Sequence, residues 1–356
     1  MIRACFSSAA RSAAARSALV LLTLAAGSAC HDNQDPIAPV ETPDPADNNG
    51  PEAVVDTLVT TDTLATLASV SFSGQPYGPI GLWAGANNFE WGPKPFTLSQ
   101  DNTYSNSIIT RINTARQRGQ RLVTAMTGGD ASQFKTNGKF DFSKWKRRMN
   151  SFNNSSIRNA VSAAVRDGVI IGNTLMDEPE TPKWGGNVTK SLIDQMAVYA
   201  KNIFPTLPMG INHGGPGYTW RASEHYRKLD YVLYQYQYPT TDGNIVAWRS
   251  AVLSRARADG VTPAFSVNLL NGGRPDNSGS WDCTGSGQAG RGTRTRKCRM
   301  TSSQLKDWGR EVGAAGCFML MWRYDDAYMR KATNIDAFRS VASLLANKSR
   351  RSCRRP

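Results

Sequence analysis

Short apolar runs alternate with amphipathic stretches from residue 70 to residue 346 of this chain. Seven apolar runs have the length and composition of buried strands, at residues 80–84, 122–126, 169–176, 208–212, 231–236, 264–269 and 317–322. The stretches around them have helical spacing, at residues 104–118, 142–166 with a break near Asn153 and Asn154, 191–203, 222–228, 245–258, 302–314 and 335–346. This alternation predicts an α/β fold with a parallel sheet.

The number of strand and helix units favours a closed barrel over an open sheet. Each predicted strand is followed by a polar or glycine-bearing loop, and we predict a (β/α)8 TIM-type barrel in a single domain, residues 70–346. The eighth strand is either residues 69–72 or a stretch that reads as loop. A doubly wound sheet is the alternative, but no glycine-rich phosphate fingerprint follows the first strand.

Two helix starts carry capping signals. Ser191 with Asp194, and Thr301 with Gln304, have the spacing of capping boxes or their near relatives. We expect both helices to begin at these positions.

The first 29 residues have the composition of a secretory signal peptide. Arg3, Arg11 and Arg16 precede an apolar segment at residues 18–26, and small residues follow, directly before Cys30. Cleavage there by a lipoprotein signal peptidase would leave Cys30 lipidated and the protein anchored to a membrane. An unmodified secreted protein is the alternative, so we expect either a cell-envelope lipoprotein, at the outer membrane or facing the periplasm, or a secreted chain.

Charge divides the remaining chain into three parts. The linker at residues 30–69 is rich in Pro and Thr and has eight acidic residues and no Lys or Arg, which predicts a disordered stalk. The full chain nevertheless carries a net charge of +14. Basic residues concentrate at 291–299 and in the tail at 347–356, and neither run is interleaved with aromatic residues as in nucleic-acid readers. We expect no nucleic-acid partner, a monomer, and solvated basic loops or attraction to an anionic glycan or lipid surface.

The cysteines fit an exported protein. Cys283 and Cys298 bracket a glycine-rich basic loop, and the sequence predicts a disulfide between them. Cys317 opens an apolar strand and is expected to remain a buried thiol, whereas Cys353 is either free or paired with an unidentified partner.

Carboxylates, amides and aromatic rings gather at the predicted strand ends. Asp177 and Glu178 end the third run, and Pro179 after them cannot continue a strand. The residues predicted to bind substrate at the same mouth are Trp83, Asp130, Asn212, His213, Tyr236, Asn268 and Trp322. Amides and acids hydrogen-bond sugar hydroxyls and rings stack on pyranose faces, so these residue types suit a carbohydrate substrate, which the basic loops would allow to be anionic.

Several alternatives remain open for these residues. Glu178 could instead cap a helix or pair with an arginine such as Arg323. Tyr236 shares a strand face with Tyr234, and that face either lines the barrel or packs beneath helices. Asp177, Glu178 and Glu180 could together bind calcium, although no EF-like loop supports this.

The motif at the end of the third run resembles that of a known family. Asp177-Glu178-Pro179 is similar to the Asn-Glu-Pro that ends a strand in the large retaining clan of TIM-barrel glycoside hydrolases, and Trp322 resembles that clan's last-strand tryptophan. The resemblance implies that Glu178 is the general acid/base and that Asp177 contacts sugar. It covers roughly residues 78–345.

The clan's nucleophile, a glutamate on a late strand, has no counterpart at residues 263–273. The second carboxylate could be Asp325 or Asp326, or Asp177 could serve with Glu178 in another geometry. We therefore expect an exported glycoside hydrolase that acts on a poly- or oligosaccharide, or else a catalytically inactive glycan-binding or surface-scaffold barrel lipoprotein.

Other chemistries lack their motifs. The chain has three histidines, and none of them forms a His-x-His or HExxH pair, so we expect no metal and no cofactor. No Gly-x-Ser-x-Gly elbow follows a strand, which argues against an α/β-hydrolase.

Overall fold

The computed structural model describes residues 80–83, 97–128, 130–214, 217–237, 244–269, 273, 298–322, 328, 331–346 and 352–356. All of these residues belong to one compact unit, Val59–Pro356. The predicted signal peptide, the stalk and the lipidation site Cys30 lie outside the described residues.

Parallel strands of the described chain close into a barrel. Its strands are β1 (Ile80–Trp83), β2 (Leu98–Asn102), β3 (Arg121–Ala125), β6 (Ile170–Asp177), β7 (Met209–His213), β8 (Tyr231–Tyr236), β9 (Thr262–Asn268) and β10 (Met319–Trp322), and a small antiparallel hairpin of β4 (Lys135–Thr136) and β5 (Lys139–Phe140) follows β3. β1 pairs with both β2 and β10, which closes the sheet. The predicted eight-stranded barrel is therefore confirmed.

The eighth strand is β2, which the sequence pattern left as loop. Its sequence, LSQDN, is mostly polar, yet Ser99, Gln100 and Asp101 are buried in the barrel wall. A strand that buries polar side chains lacks the apolar run by which buried strands are recognised. The other candidate, residues 69–72, lies outside the described residues.

Helices cover the outside of the barrel. They are α1 (Ile108–Gln117), α2 (Phe142–Asn150), α3 (Ser155–Arg166), α4 (Lys190–Ile203), α5 (Ile245–Asp259), α6 (Ser302–Val312) and α7 (Ala332–Ala346). The predicted break between α2 and α3 is present, and the Asn154 side chain caps α3 by accepting from the Ile157 amide at 3.0 Å. The capping box of Thr301 and Gln304 at the start of α6 is confirmed.

The start of α4 differs from the prediction. Thr189 is its N-cap residue and accepts from the Leu192 amide at 3.0 Å. The carboxylate of Asp194 is buried instead, and accepts hydrogen bonds from the backbone amides of Arg227, Lys228 and Leu229. Asp194 therefore holds the segment before β8 and does not cap α4.

The predicted helix at residues 222–228 is wrong. The segment consists of turns and irregular chain in the structure. The amides of Arg227 and Lys228 donate to the Asp194 carboxylate. The carbonyl groups of Ala222 and Glu224 accept from Arg255. Tertiary partners thus replace the hydrogen bonds that a helix would make.

The lower interior of the barrel is filled by one large ring. The ring of Tyr231, which belongs to β8, lies against Gly172 of β6 and Gly210 of β7. A Cβ atom on either glycine would collide with this ring. The ring packs edge-on against Phe318, with centroids 5.4 Å apart, and its hydroxyl lies 3.4 Å from Thr174 Oγ1. The two glycines therefore make room for an aromatic residue inside a narrow barrel.

The C-terminal residues close the amino-terminal end of the barrel. Cys353 is buried and forms a disulfide with Cys317, just before β10. The Arg355 guanidinium donates to the carbonyl groups of Tyr226, Leu229 and Asp259 at 3.0–3.1 Å. The expectation that Cys317 remains a thiol is wrong, because the tail returns to the barrel and brings Cys353 beside it.

The predicted disulfide between Cys283 and Cys298 lies only partly within the described residues. Cys298 is disulfide-bonded, and its backbone pairs with Gly273. Its predicted partner Cys283 lies outside the described residues, as does the basic loop at residues 291–297.

No helix in the described part of the chain is both long and apolar enough to span a bilayer. Among these same residues, no three His, Cys, Asp or Glu side chains are arranged to hold a metal ion.

Removing the disulfide should destabilise the barrel. The Cys317→Ala/Cys353→Ala double variant opens a loop whose ends are separated by 36 residues. A crosslink of this span stabilises a protein by about 3–4 kcal/mol, chiefly by restricting the unfolded chain. Calorimetry should therefore show a lower Tm than for wild type and for the exposed control Ser352→Ala. Equal melting temperatures would contradict a stabilising role for the tail.

Candidate active site

Asp177 and Glu178 lie at the carboxyl end of β6, where the chain leaves the sheet. Asp177 is paired in register with Asn212 of β7, and the Glu178 amide donates to the Asn212 carbonyl oxygen at 2.8 Å. Glu178 has a φ of 45°, a left-handed conformation that is uncommon for residues other than glycine. Thr181 stabilises this turn by donating its amide and its hydroxyl to the Glu178 carbonyl oxygen, at 3.1 and 2.8 Å. Such conformations are found where a side chain must be held in a particular direction.

A short 3-10 turn, Pro182–Trp184, brings a lysine to the two carboxylates. Lys183 Nζ lies 2.8 Å from Asp177 Oδ2 and 3.3 Å from Glu178 Oε2. The indole of Trp184 donates to the Asp177 carbonyl oxygen at 2.8 Å and so ties the turn to the strand. Gly185 ends the turn in a left-handed conformation. Lys183 is not among the site residues predicted from the sequence, because a single lysine after a Thr-Pro pair forms no recognisable motif.

The half-buried environment changes the acidity of this group. Burial raises the pKa of Glu178, the charge of Asp177 raises it further, and Lys183 opposes both effects. Burial disfavours the charge on Lys183, but Asp177 and Glu178 outweigh it and raise its pKa. The site therefore holds a cationic lysine beside a carboxyl group that retains its proton to higher pH than an ordinary glutamate.

Glu180 points away from this pair and braces the neighbouring loop. Its Oε2 atom lies 2.8 Å from His213 Nδ1, and its Oε1 atom accepts from the Gly214 amide at 2.6 Å. A Cβ atom on Gly214 would collide with Glu178 Oε1, so the Gly214 backbone lies directly against the Glu178 carboxyl. Glu180 thus fixes one wall of the site.

His213 lies behind the strand ends, not in the mouth. It is 3% exposed, and its Nε2 atom lies 3.2 Å from the Tyr226 hydroxyl, so both ring nitrogens have partners. Its ring stacks on Tyr234 with centroids 5.9 Å apart. Protein groups therefore occupy both ring nitrogens, and the role of His213 as a substrate contact stays a prediction.

Tyr236 is also outside the mouth. It is buried and packs against Trp248 of α5, with ring centroids 5.2 Å apart. The strand face that carries Tyr236 therefore packs beneath the helices and does not line the barrel. Alternate residues of a strand point to opposite sides, and here the interior positions of β8 are those of Tyr231, Leu233 and Gln235.

The remaining predicted residues have different surroundings. Asn212 lies beside the acids and donates to Asp177 Oδ1 at 3.2 Å, whereas Asp130 caps the 3-10 turn Ala131–Phe134 by accepting from the Ser132 amide. Hydrogen bonds to Ser132 lower the pKa of Asp130. Trp83, Trp322 and Asn268 are aligned in register on adjacent strands β1, β10 and β9.

Asp325, Asp326 and Arg323 lie outside the described residues. The calcium alternative has no support among the described acids, because Glu180 is directed to His213 while Asp177 and Glu178 face Lys183. The chemistry that this arrangement supports is proton transfer by a carboxyl group.

Comparison with known proteins finds similarity only at the level of structure. No family model and no curated protein sequence matches the chain. Similar solved structures include native xylanase 10B from Thermotoga maritima, with 10% identity, a TM-score of 0.45 and coverage of 76% of this chain and 96% of that one. Xylanase A from P. fluorescens subsp. cellulosa, in complex with xylopentaose, has 13% identity, a TM-score of 0.47 and coverage of 79% and 99%.

A glycoside hydrolase family 5 mannosidase from Rhizomucor miehei has 8% identity, a TM-score of 0.45 and coverage of 76% and 94%. The similarity of this chain to these xylanases and to the mannosidase is one of fold.

The raised pKa of Glu178 predicts a pH-dependent effect of its replacement. A carboxyl group whose pKa is raised on folding favours the folded state while protonated, and this contribution is lost as the pH rises through the folded pKa. Glu178→Gln should therefore melt a few degrees higher than wild type at pH 8, since about 1 kcal/mol moves Tm by roughly 2–4 °C in a large domain. The difference should shrink towards pH 4. A variant that is less stable at pH 8 would contradict the raised pKa.

Proposed function

We propose that the protein is a glycoside hydrolase in which Glu178 is the general acid/base. The observation that supports this is the half-buried Glu178 carboxyl at the carboxyl end of the barrel strands, with its pKa raised by burial and by Asp177. A general acid must hold its proton near the working pH and deliver it to a leaving oxygen, and a raised carboxyl pKa serves both needs. The carboxyl end of the strands is where TIM barrels build their active sites.

The neighbouring side chains fit a sugar substrate. Asp177 and Asn212 offer carboxylate and amide groups beside Glu178, and their hydrogen bond leaves further acceptor positions for hydroxyl groups. The Asn212 Oδ1 atom is buried without a partner among the described residues. A buried acceptor of this kind suits a hydroxyl donor on a bound ligand.

A second carboxylate would complete the hydrolytic pair. We propose Asp325 or Asp326 for this role, because they follow β10 in the sequence and β10 lies in the barrel wall next to β1. A separation of about 5 Å between the two carboxyl groups would give retention of anomeric configuration, and about 6.5–9.5 Å would give inversion.

We also propose that the protein is exported and held at the cell envelope by a lipid on Cys30. The disulfide between Cys317 and Cys353 supports export, because structural disulfides persist in oxidising compartments. The apolar segment at residues 18–26 and the small residues before Cys30 support cleavage and lipidation at that cysteine. The stalk at residues 30–69 would then separate the barrel from the membrane surface.

A glycan-binding barrel without hydrolysis is the second candidate. In the described part of the chain, the carboxylates that act on Glu178 are Asp177 and Glu180, and both belong to the same strand end. A hydrolytic pair needs carboxylates on opposite sides of the scissile bond. If neither Asp325 nor Asp326 faces Glu178, the mouth would bind sugar without cleaving it.

Replacing Glu178 tests the assignment directly. Glu178→Gln keeps the shape of the side chain but cannot carry the proton, so kcat on a cleaved polysaccharide should fall about 10²–10⁴-fold. The assay is reducing-sugar release on neutral and uronate-bearing glycans, including xylan and a mannan. Glu311→Gln is the matched control, because it removes a partly buried carboxylate that pairs with Arg249 on the outer helices. Equal hydrolysis by wild type and Glu178→Gln would exclude Glu178 as the acid.

The pH profile supplies an independent test. Because the general acid acts in its protonated form, activity should decline on the alkaline side as Glu178 ionises. The raised pKa of Glu178 places this decline above the range of an ordinary glutamate. The measurement is kcat/KM between pH 4 and pH 9, and a decline that begins near pH 4 would contradict the assignment. Binding of the same glycans without any hydrolysis would favour the second candidate.

A further inference from the structure

A single ammonium group connects the two carboxylates at the end of β6. Lys183 Nζ contacts both Asp177 Oδ2 and Glu178 Oε2. We propose that Lys183 is a positioning residue that gives these carboxylates different roles, binding Asp177 more closely and leaving Glu178 to exchange the proton. This inference rests on the proposed function, in which Glu178 is the general acid/base.

The contacts of Lys183 are unequal. Its ammonium is 2.8 Å from Asp177 and 3.3 Å from Glu178, and electrostatic attraction weakens with distance. Asp177 also accepts from Asn212 Nδ2 at 3.2 Å, so two donors stabilise its charge. Hydrogen bonds to the charged form of a carboxyl group favour that form. Lys183 and Asn212 therefore hold Asp177 in place more firmly than Lys183 holds Glu178.

Exposure acts in the same direction. The Asp177 side chain is 41% exposed and that of Glu178 is 33% exposed, so solvent stabilises the Asp177 anion more. Two adjacent carboxylates would otherwise share protons in coupled steps, with neither residue reliably protonated. Because Lys183 lies closer to Asp177 than to Glu178, the two carboxyl groups are no longer equivalent as proton carriers.

The turn that carries Lys183 is held in place. Trp184 Nε1 is bonded to the Asp177 carbonyl oxygen, and the Trp184 ring packs edge-on against Phe140 with centroids 5.7 Å apart. Lys183 is itself only 35% exposed, which limits the alternative positions of its ammonium. The position of the cation is thus set by the fold and not only by attraction to the acids.

The other charged groups near Glu178 do not take over this function. Glu180 acts on Glu178 as a negative charge, but its own oxygens are bound to His213 and to the Gly214 amide. His213 faces Glu180 and Tyr226. Among the groups that act on Glu178 in the described chain, Lys183 is the cation.

Site-resolved titration tests the proposal without requiring turnover. Carboxyl ¹³C resonances are assigned to Asp177 and Glu178 with the variants Asp177→Asn and Glu178→Gln and are followed between pH 2 and pH 9. In Lys183→Gln the Glu178 resonance should titrate about one pH unit or more higher than in wild type, the usual effect of losing an adjacent opposite charge. Lys183→Arg should remain close to wild type.

Two further variants control for structure. Lys183→Met keeps the aliphatic stem and should reproduce the shift if Lys183→Gln folds poorly. Lys146→Gln removes an ammonium that lies over the rings of Phe142 and Tyr199, and it should leave both titrations unchanged. Titrations of Glu178 in Lys183→Gln and Lys183→Met that match wild type would overturn the proposal.

Kinetics separates this inference from the proposed function. Loss of the cation raises the pKa of the acid, so the alkaline limb of kcat/KM should move to higher pH in Lys183→Gln and return in Lys183→Arg. A purely structural role would lower activity equally at all pH values and leave the limb in place, and that result would count against the proposal. A wild type that hydrolyses no glycan would refute the proposed function, while the titrations would still decide the role of Lys183.

Discussion

The packing of Tyr231 inside the barrel is the constraint on which the geometry of the mouth depends. Its ring occupies space that β6 and β7 provide only because Gly172 and Gly210 have no side chains. With this ring in place, Thr174 is held opposite Gly210, and the pairing of the two strands then shifts before it resumes at Asp177 and Asn212. The irregularity changes the direction of the strand end, as bulges commonly do next to active sites.

The mouth combines two kinds of polar group that differ in how they are supported. His213, Glu180, the Tyr226 hydroxyl and the Gly214 amide form a set of hydrogen bonds behind the rim. Asp177, Glu178 and Lys183 face the opening and remain partly solvated. Catalysis requires such an arrangement, with rigid hydrogen-bonded groups behind the rim and partly solvated groups in front of it. Reacting groups must be held in position while their own hydrogen-bonding atoms remain available to a substrate.

Much of the fold could be predicted from the sequence because most strands are continuous apolar runs. The barrel and the break between α2 and α3 follow from periodicity and capping residues. The strand β2 was not predicted because its buried side chains are polar. The segment 222–228 was wrongly predicted to be helical, because Asp194 and Arg255 make the hydrogen bonds to its backbone that a helix would otherwise supply. Local pattern carries no information about such distant partners.

The site was predictable only in part for the same reason. An apolar run that ends in Asp177-Glu178-Pro179 predicts a carboxylate at the mouth of a barrel from the sequence alone. The contact of Lys183 with both acids, the burial of His213 and the outward position of Tyr236 depend on turns and register. These are set by the three-dimensional path of the chain and leave no periodic trace.

The C-terminal tail is connected to the groups behind the mouth through a single residue, Tyr226. Arg355 donates to the backbone carbonyl of Tyr226 at the base, and the hydroxyl of the same tyrosine lies against His213, which contacts Glu180 beneath the rim. A shift of Tyr226 would therefore disturb the contact with Arg355 at one end of the barrel and the hydrogen bond to His213 at the other. The backbone of this residue is needed at the base, and its hydroxyl is needed behind the mouth.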